Sequence, residues 1–180
     1  MSIFDKLNNK GKGNDSLKET FKFEQLPESL NEFIGLKEAS LDNPFKTAAL
    51  TVVALCVYAV DREIGKDMLN FLRGPRPLSP MDLSFLNDRF MDQKQYVPFS
   101  FFDGATPEND YTPSKPYTIT IQANQYSDDA KGYKRLLVKS GGADSLRIIT
   151  LRETSDGKWF LWEQAIMADI RKPKSQDPWA

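Results

Sequence analysis

The chain has 180 residues, the size of one domain with tails, and 40% of them are apolar, enough for a packed core. Its 24 basic and 25 acidic residues leave a net charge of −1, without the basic excess that wraps a polyanion, so no nucleic-acid partner is expected. The absence of histidine and the single cysteine, Cys56, exclude the commonest general base, an intramolecular disulfide and a Cys/His zinc site. No metal and no cofactor are expected.

The first residues are polar and glycine-bearing, and they read as a flexible arm over 1–20 in which Ile3, Phe4 and Leu7 form at most one short amphipathic turn. They lack the continuous apolar core of a secretory signal. The remainder, 21–180, reads as one α+β domain. Its helical half covers about 26–91, its sheet half about 96–170, and an extended tail 171–180.

Phe21-Lys22-Phe23 alternates like a short strand. Pro27 and Ser29 then open a short helix that Gly35 closes. Asp42 or Asn43 before Pro44 is the clearest helix start in the chain, because the cap side chain accepts from an orphan N–H and Pro gives up a donor without a partner. The apolar run over 48–60, broken only by Thr51, is 13 residues long, short of the roughly 20 that span a bilayer, and reads as a buried central helix. No membrane span is expected, and the expected compartment is the cytoplasm. A further helix is expected over 62–72, stopped by Gly74-Pro75-Arg76-Pro77, and another from Ser79-Pro80 to about residue 91.

From Tyr96 the texture changes. The aromatic run over 97–102 reads as extended, and the proline-rich stretch 103–116 as a polar loop. Four β-branched or aromatic runs follow, at 117–123, 134–140, 146–152 and 158–163, separated by turn residues. The stretch 165–170 reads as a continuation of the last strand past a bulge. Helices first and strands afterwards predict N-terminal helices packed on a C-terminal antiparallel meander of about four or five strands. That order is analogous to cystatin-like and nuclear-transport-factor-like curved sheets, an analogy that carries no function.

The runs FFDGATPENDYTPSKPYTI, KSGGADSLRIITLR, KWFLWE and IRKPKSQDPWA resemble a family of uncharacterised bacterial proteins, mainly from Firmicutes, known as a domain of unknown function. The resemblance covers roughly residues 20–180 and implies no activity, ligand or catalytic residue.

The residues themselves leave two readings of function open. In the favoured one the protein is a non-catalytic binding or regulatory module that recognises a protein segment or a small anionic ligand through its sheet and the 103–116 loop. The strand cations Arg135, Lys139, Arg147 and Arg152, with Tyr117, Tyr133 and Trp162, are the candidate contacts, against the plainer reading of an exposed sheet face. The alternative is a hydrolase that works through carboxylates alone, with Glu163, beside Trp162 near the end of a strand, and Asp103 as the pair. The glycines of SGGADS over 140–145 precede a strand rather than a helix and therefore read as a hairpin turn, not a phosphate loop. Trp159 and Trp162 face opposite ways in a straight strand. Trp179, between Pro178 and Ala180, is expected to pack back on its own domain, with anchoring of a partner or a second subunit as the competing reading.

Overall fold

The computed structural model describes residues 17–180. The expectations for 1–16, including the amphipathic turn at Ile3, Phe4 and Leu7, fall outside the described residues.

The helices begin where local chemistry satisfies free backbone N–H groups. Ser29 caps helix α1 (Leu30–Ile34) through the amide of Glu32 at 3.1 Å. Asn43 accepts from the amide of Phe45 at 2.8 Å and starts α2 (Pro44–Val60), the central helix. Asp61 accepts from Glu63 and Ile64, both at 3.1 Å, and opens α3 (Arg62–Arg73). Ser79 and Asp82 cap each other's amides at the start of α4 (Pro80–Arg89). In each case the side-chain oxygen takes a donor that no helical carbonyl reaches.

Helix α2 is buried on nearly every side, from Phe45 through Tyr58. Its two polar side chains inside the core are satisfied: Thr51 Oγ1 donates to the carbonyl of Thr47 and Thr47 Oγ1 to that of Trp159, both at 2.9 Å. The helix lies between α3 and the inner face of the sheet, so its apolar circumference is covered rather than wasted. None of the helices among the described residues is long and apolar enough to cross a membrane.

The sheet has five antiparallel strands in the order β1-β2-β3-β4-β5. They are β1 (Lys18–Phe23), β2 (Tyr117–Gln122), β3 (Tyr133–Val138), β4 (Arg147–Glu153) and β5 (Trp159–Ala165). Phe21, Ile119, Ile121, Leu136, Val138, Ile149, Leu151 and Leu161 face inward onto the helices. Between β2 and β3 only Ile121↔Val138 and Gln122↔Leu137 pair, so these strands separate beyond one end. The α+β class, with N-terminal helices and an antiparallel sheet, is as the sequence reads.

Four local expectations change. Strand β1 starts at Lys18, inside the stretch assigned to the arm, and it pairs along its whole length with β2, from Lys18↔Gln122 to Phe23↔Tyr117. One strand of the sheet is therefore supplied from before the helices. The run over 97–102 is not extended: Pro98–Phe101 forms a 3₁₀ turn. Ser100 Oγ donates to the carbonyl of Val97 at 2.6 Å, and the tighter spacing buries Val97 and Phe101 together. Strand β5 stops at Ala165; Ile166, Met167 and Ile170 are buried from an irregular segment, not from a continued strand. Trp179 does not pack on its own domain, because it is 93% exposed.

Candidate functional site

The outer face of the sheet gathers charge and aromatic rings at one end of β3, β4 and β5. Opposite Leu151 stands Leu161, and opposite Thr150 stands Glu163, which leaves Trp162 as the extra residue of a bulge. Up to Trp162 the strand keeps its alternation. Trp159 stays with the core and Trp162 turns out beside Tyr133, their rings 5.5 Å apart and nearly perpendicular.

Two guanidinium groups stand on these rings. Arg152, paired in register with Tyr133, holds its guanidinium carbon 4.2 Å from the Tyr133 centroid and 5.9 Å from that of Trp162. Arg76 comes from the turn after α3 and lies 3.8 Å from the Trp162 centroid, donating as well to the Trp162 carbonyl. The turn reaches the sheet because Gly74 takes φ +56° and has no Cβ; one built there would sit 2.3 Å from the Phe160 ring.

Arg73 completes the wall from below. It is buried, its Nε donates to the carbonyl of Arg76 at 2.9 Å, and its Nη2 lies 3.3 Å from Asp82. Burial lowers its pKa, and the Asp82 charge opposes that shift. Together Arg73, Arg76, Arg152, Phe160 and Trp162 line a pocket of about 390 Å³, with Glu153 the one acidic residue of the lining. Arg73 has a carboxylate partner. Among the described residues, neither Arg76 nor Arg152 forms an ion pair.

The other candidates disperse. Arg135 is exposed on the outer face, two positions along β3 from Tyr133. Lys139 is exposed beyond the opposite end of that strand. Arg147 holds a bend together by donating to the carbonyls of Ala168 and Asp169. Tyr117, on β2, rests 5.3 Å from Phe102 and takes the Lys115 ammonium at 5.6 Å. The two candidate catalytic carboxylates do not meet. Asp103 is bound to β2, where its amide donates to the Thr118 carbonyl at 2.8 Å, while Glu163 is exposed on β5. Strands β3 and β4 intervene, a gap on the order of 14 Å at ordinary strand spacing.

The 103–116 loop is tied down rather than open. Asn109 donates to the carbonyl of Gly104 at 2.7 Å, and Tyr111 Oη to that of Arg171 at 2.5 Å. Its neighbour is the SGGADS hairpin, whose glycines allow backbone contact: a Cβ on Gly141 would lie 1.9 Å from the Ala105 carbonyl oxygen. Cys56 is fully buried, and burial pushes its thiol pKa well up, away from nucleophilic form. Among the described residues no three of Cys, Asp and Glu gather as a metal site.

Sequence reading missed Arg76, because Gly74-Pro75-Arg76-Pro77 carries a helix-stop signal that hides the chemistry of its third residue. Trp162 and Arg152 were visible as candidates on neighbouring strands, but the register that sets them beside Tyr133 on one face was not.

A family model described as a domain of unknown function (DUF6935) matches residues 25–174. No curated protein and no solved structure matches.

Proposed function

The chain belongs to the DUF6935 family, and from its geometry we propose a non-catalytic binding module for a small organic anion with a planar body. The observation that carries this reading is the pair of guanidinium groups, Arg76 and Arg152, set over Trp162 and Tyr133 at one pocket without carboxylate partners among the described residues. A guanidinium offers a planar fork of donors that fits carboxylate or phosphate oxygens two at a time. The Trp162 and Phe160 rings supply apolar surface for the rest of the ligand. Arg76 has a structural task as well, since its stacking and its bond to the Trp162 carbonyl seat the turn after α3. Arg152 donates no side-chain hydrogen bond within the described residues, and its stack on Tyr133 leaves the fork for a ligand. In this reading the module works in the bacterial cytoplasm, in keeping with the resemblance and with the lone buried thiol of Cys56.

The test is a titration of the full chain with benzoate, adenosine monophosphate and inorganic phosphate, followed by amide chemical shifts. Saturable shifts around 76, 152 and 162 with benzoate or the nucleotide are expected, weakening as salt rises. Arg152→Gln keeps a polar side chain at this exposed position and removes the charge and the donor fork, so it should abolish them at unchanged melting temperature. Equal binding by Arg152→Gln, or no saturable shift with any of the three, would overturn the reading. Shifts with phosphate alone would overturn the planar body and leave a plain anion site.

A further inference from the structure

Helix α4 is the least covered helix of the domain. It buries only Leu86, while Met81 is 81% and Phe85 54% exposed on the same side, four residues apart. Between this helix and β5 runs a groove of about 260 Å³ with an apolar wall of Leu78, Met81, Phe85 and Leu161, and with the Arg73–Asp82 ion pair and Glu163 on its polar side. Its volume suits one large side chain. Nothing among the described residues fills it.

The same chain carries an aromatic side chain without a seat. Residues 171–176 are held firmly: Arg171 donates its amide to Gly142 at 2.9 Å, Ser175 donates its amide to Asp110 at 3.2 Å, and the Gln176 side chain donates to the Gln93 carbonyl at 3.2 Å. The segment bearing Trp179 passes Gln93, just beyond the C-terminal end of α4, and ends beside Pro107 and Glu108, with which Asp177 and Ala180 line a depression. Lys172 and Phe85 line one shared depression at that end of α4. The groove opens at the other end of the helix, by Leu78 and Met81, a distance on the order of 15 Å for ten residues.

An exposed indole at one end of an apolar helix and an empty groove at the other are the two halves of a reciprocal contact. We propose that two copies of this chain pair through α4 about a two-fold axis, each placing Trp179 in the partner's groove between α4 and β5. Antiparallel packing of the two α4 helices sets the C-terminal end of one beside the N-terminal end of the other, which is where the indole is needed. Met81 and Phe85 then cover one another across the axis. Charge agrees on balance: the tail carries the exposed Lys172 and Lys174 against one acidic residue, Asp177, and the partner's groove carries the exposed carboxylate of Glu163 beside the Arg73–Asp82 ion pair. A single deeply seated Trp is the type of side chain that dominates such interfaces. This inference does not rest on the ligand reading.

The experiment is sedimentation of the full chain over a wide concentration range, with Trp179→Ala and with Met81→Glu/Phe85→Glu. All the altered side chains are exposed in the single copy, so each variant should keep the parent's circular dichroism. The parent is expected to sediment as a dimer that dissociates on dilution, with a red shift of tryptophan emission as Trp179 returns to water. Both variants are expected to be monomeric at concentrations where the parent is dimeric, and the emission shift should be absent from Trp179→Ala. A parent that is monomeric throughout, or a dimer that survives both variants, would sink the proposal. A dimer lost with the groove variant but kept by Trp179→Ala would show that something other than this tail fills the groove, and the proposal would fail on its occupant.

Discussion

Gly65 shows how one atom decides the packing of two helices. A Cβ at this position would lie 2.3 Å from the Cα of Tyr58, so α2 and α3 touch backbone to backbone. The chain cannot relieve that contact by turning a side chain, because the obstructing atoms are main chain. Tyr58 is held in turn by its hydroxyl contact with Asn87 and by packing on Phe90, 5.3 Å away. Gly65→Ala is therefore expected to lower unfolding free energy by about 1–3 kcal/mol, despite the better helix propensity of alanine. Urea unfolding followed by circular dichroism measures it; a variant as stable as the parent would show that the hairpin has slack. Arg76 and Arg152 make the same point for function, because their residue types say little until the rings beneath them are placed.

At the scale of elements, α4 depends on its first turn. Ser79 and Asp82 cap each other, and Asp82 also meets Arg73. The Ser79 amide bond holds the Asp82 pKa below its ordinary 3.8, helped by the Ser79 hydroxyl and the charges of Arg73 and Arg76 and opposed by burial. The folded chain thus holds this proton less tightly than the unfolded chain. The resulting stability is present above the unfolded value and disappears as pH falls through the lowered folded one. Ser79→Ala should cost about 1 kcal/mol at neutral pH. Asp82→Asn should flatten the fall in melting temperature between about pH 5 and pH 2 relative to the parent. An acid limb identical in parent and Asp82→Asn would mean that Asp82 titrates alike folded and unfolded. Strand β5 illustrates a second element-level device. Alternation puts the Trp162 ring on the outer face while Leu161 stays in the core, and the bulge at Trp162 resets the pairing beyond it.

The whole molecule is organised around α2, which touches α3 and all five strands of the sheet. Leu55, fully buried on it, is the position where a charge has the least escape. Leu55→Asp should abolish cooperative folding, because an unpaired carboxylate would lose its water with nothing in return. A soluble variant that melts like the parent would show that this helix is not the centre of the core. The global arrangement also explains which expectations failed. The helix starts before Pro44 and at Ser79 were legible because a cap acts within three residues of itself, whereas the cap at Asp61 was not read. The strand runs were legible because alternation and β-branching are local. What the sequence determined by itself was this list of elements, their class and the burial of α2. Only the tertiary structure decided that β1 joins β2 from across the helical segment, that 97–102 coils into the core, that Asp103 and Glu163 stay apart while Arg76 meets Trp162, and that Trp179 has no seat in its own domain. The physical reason is common to all of these. Each depends on partners distant in sequence, whose meeting is set by the packing of the whole chain and leaves no periodic mark on either segment.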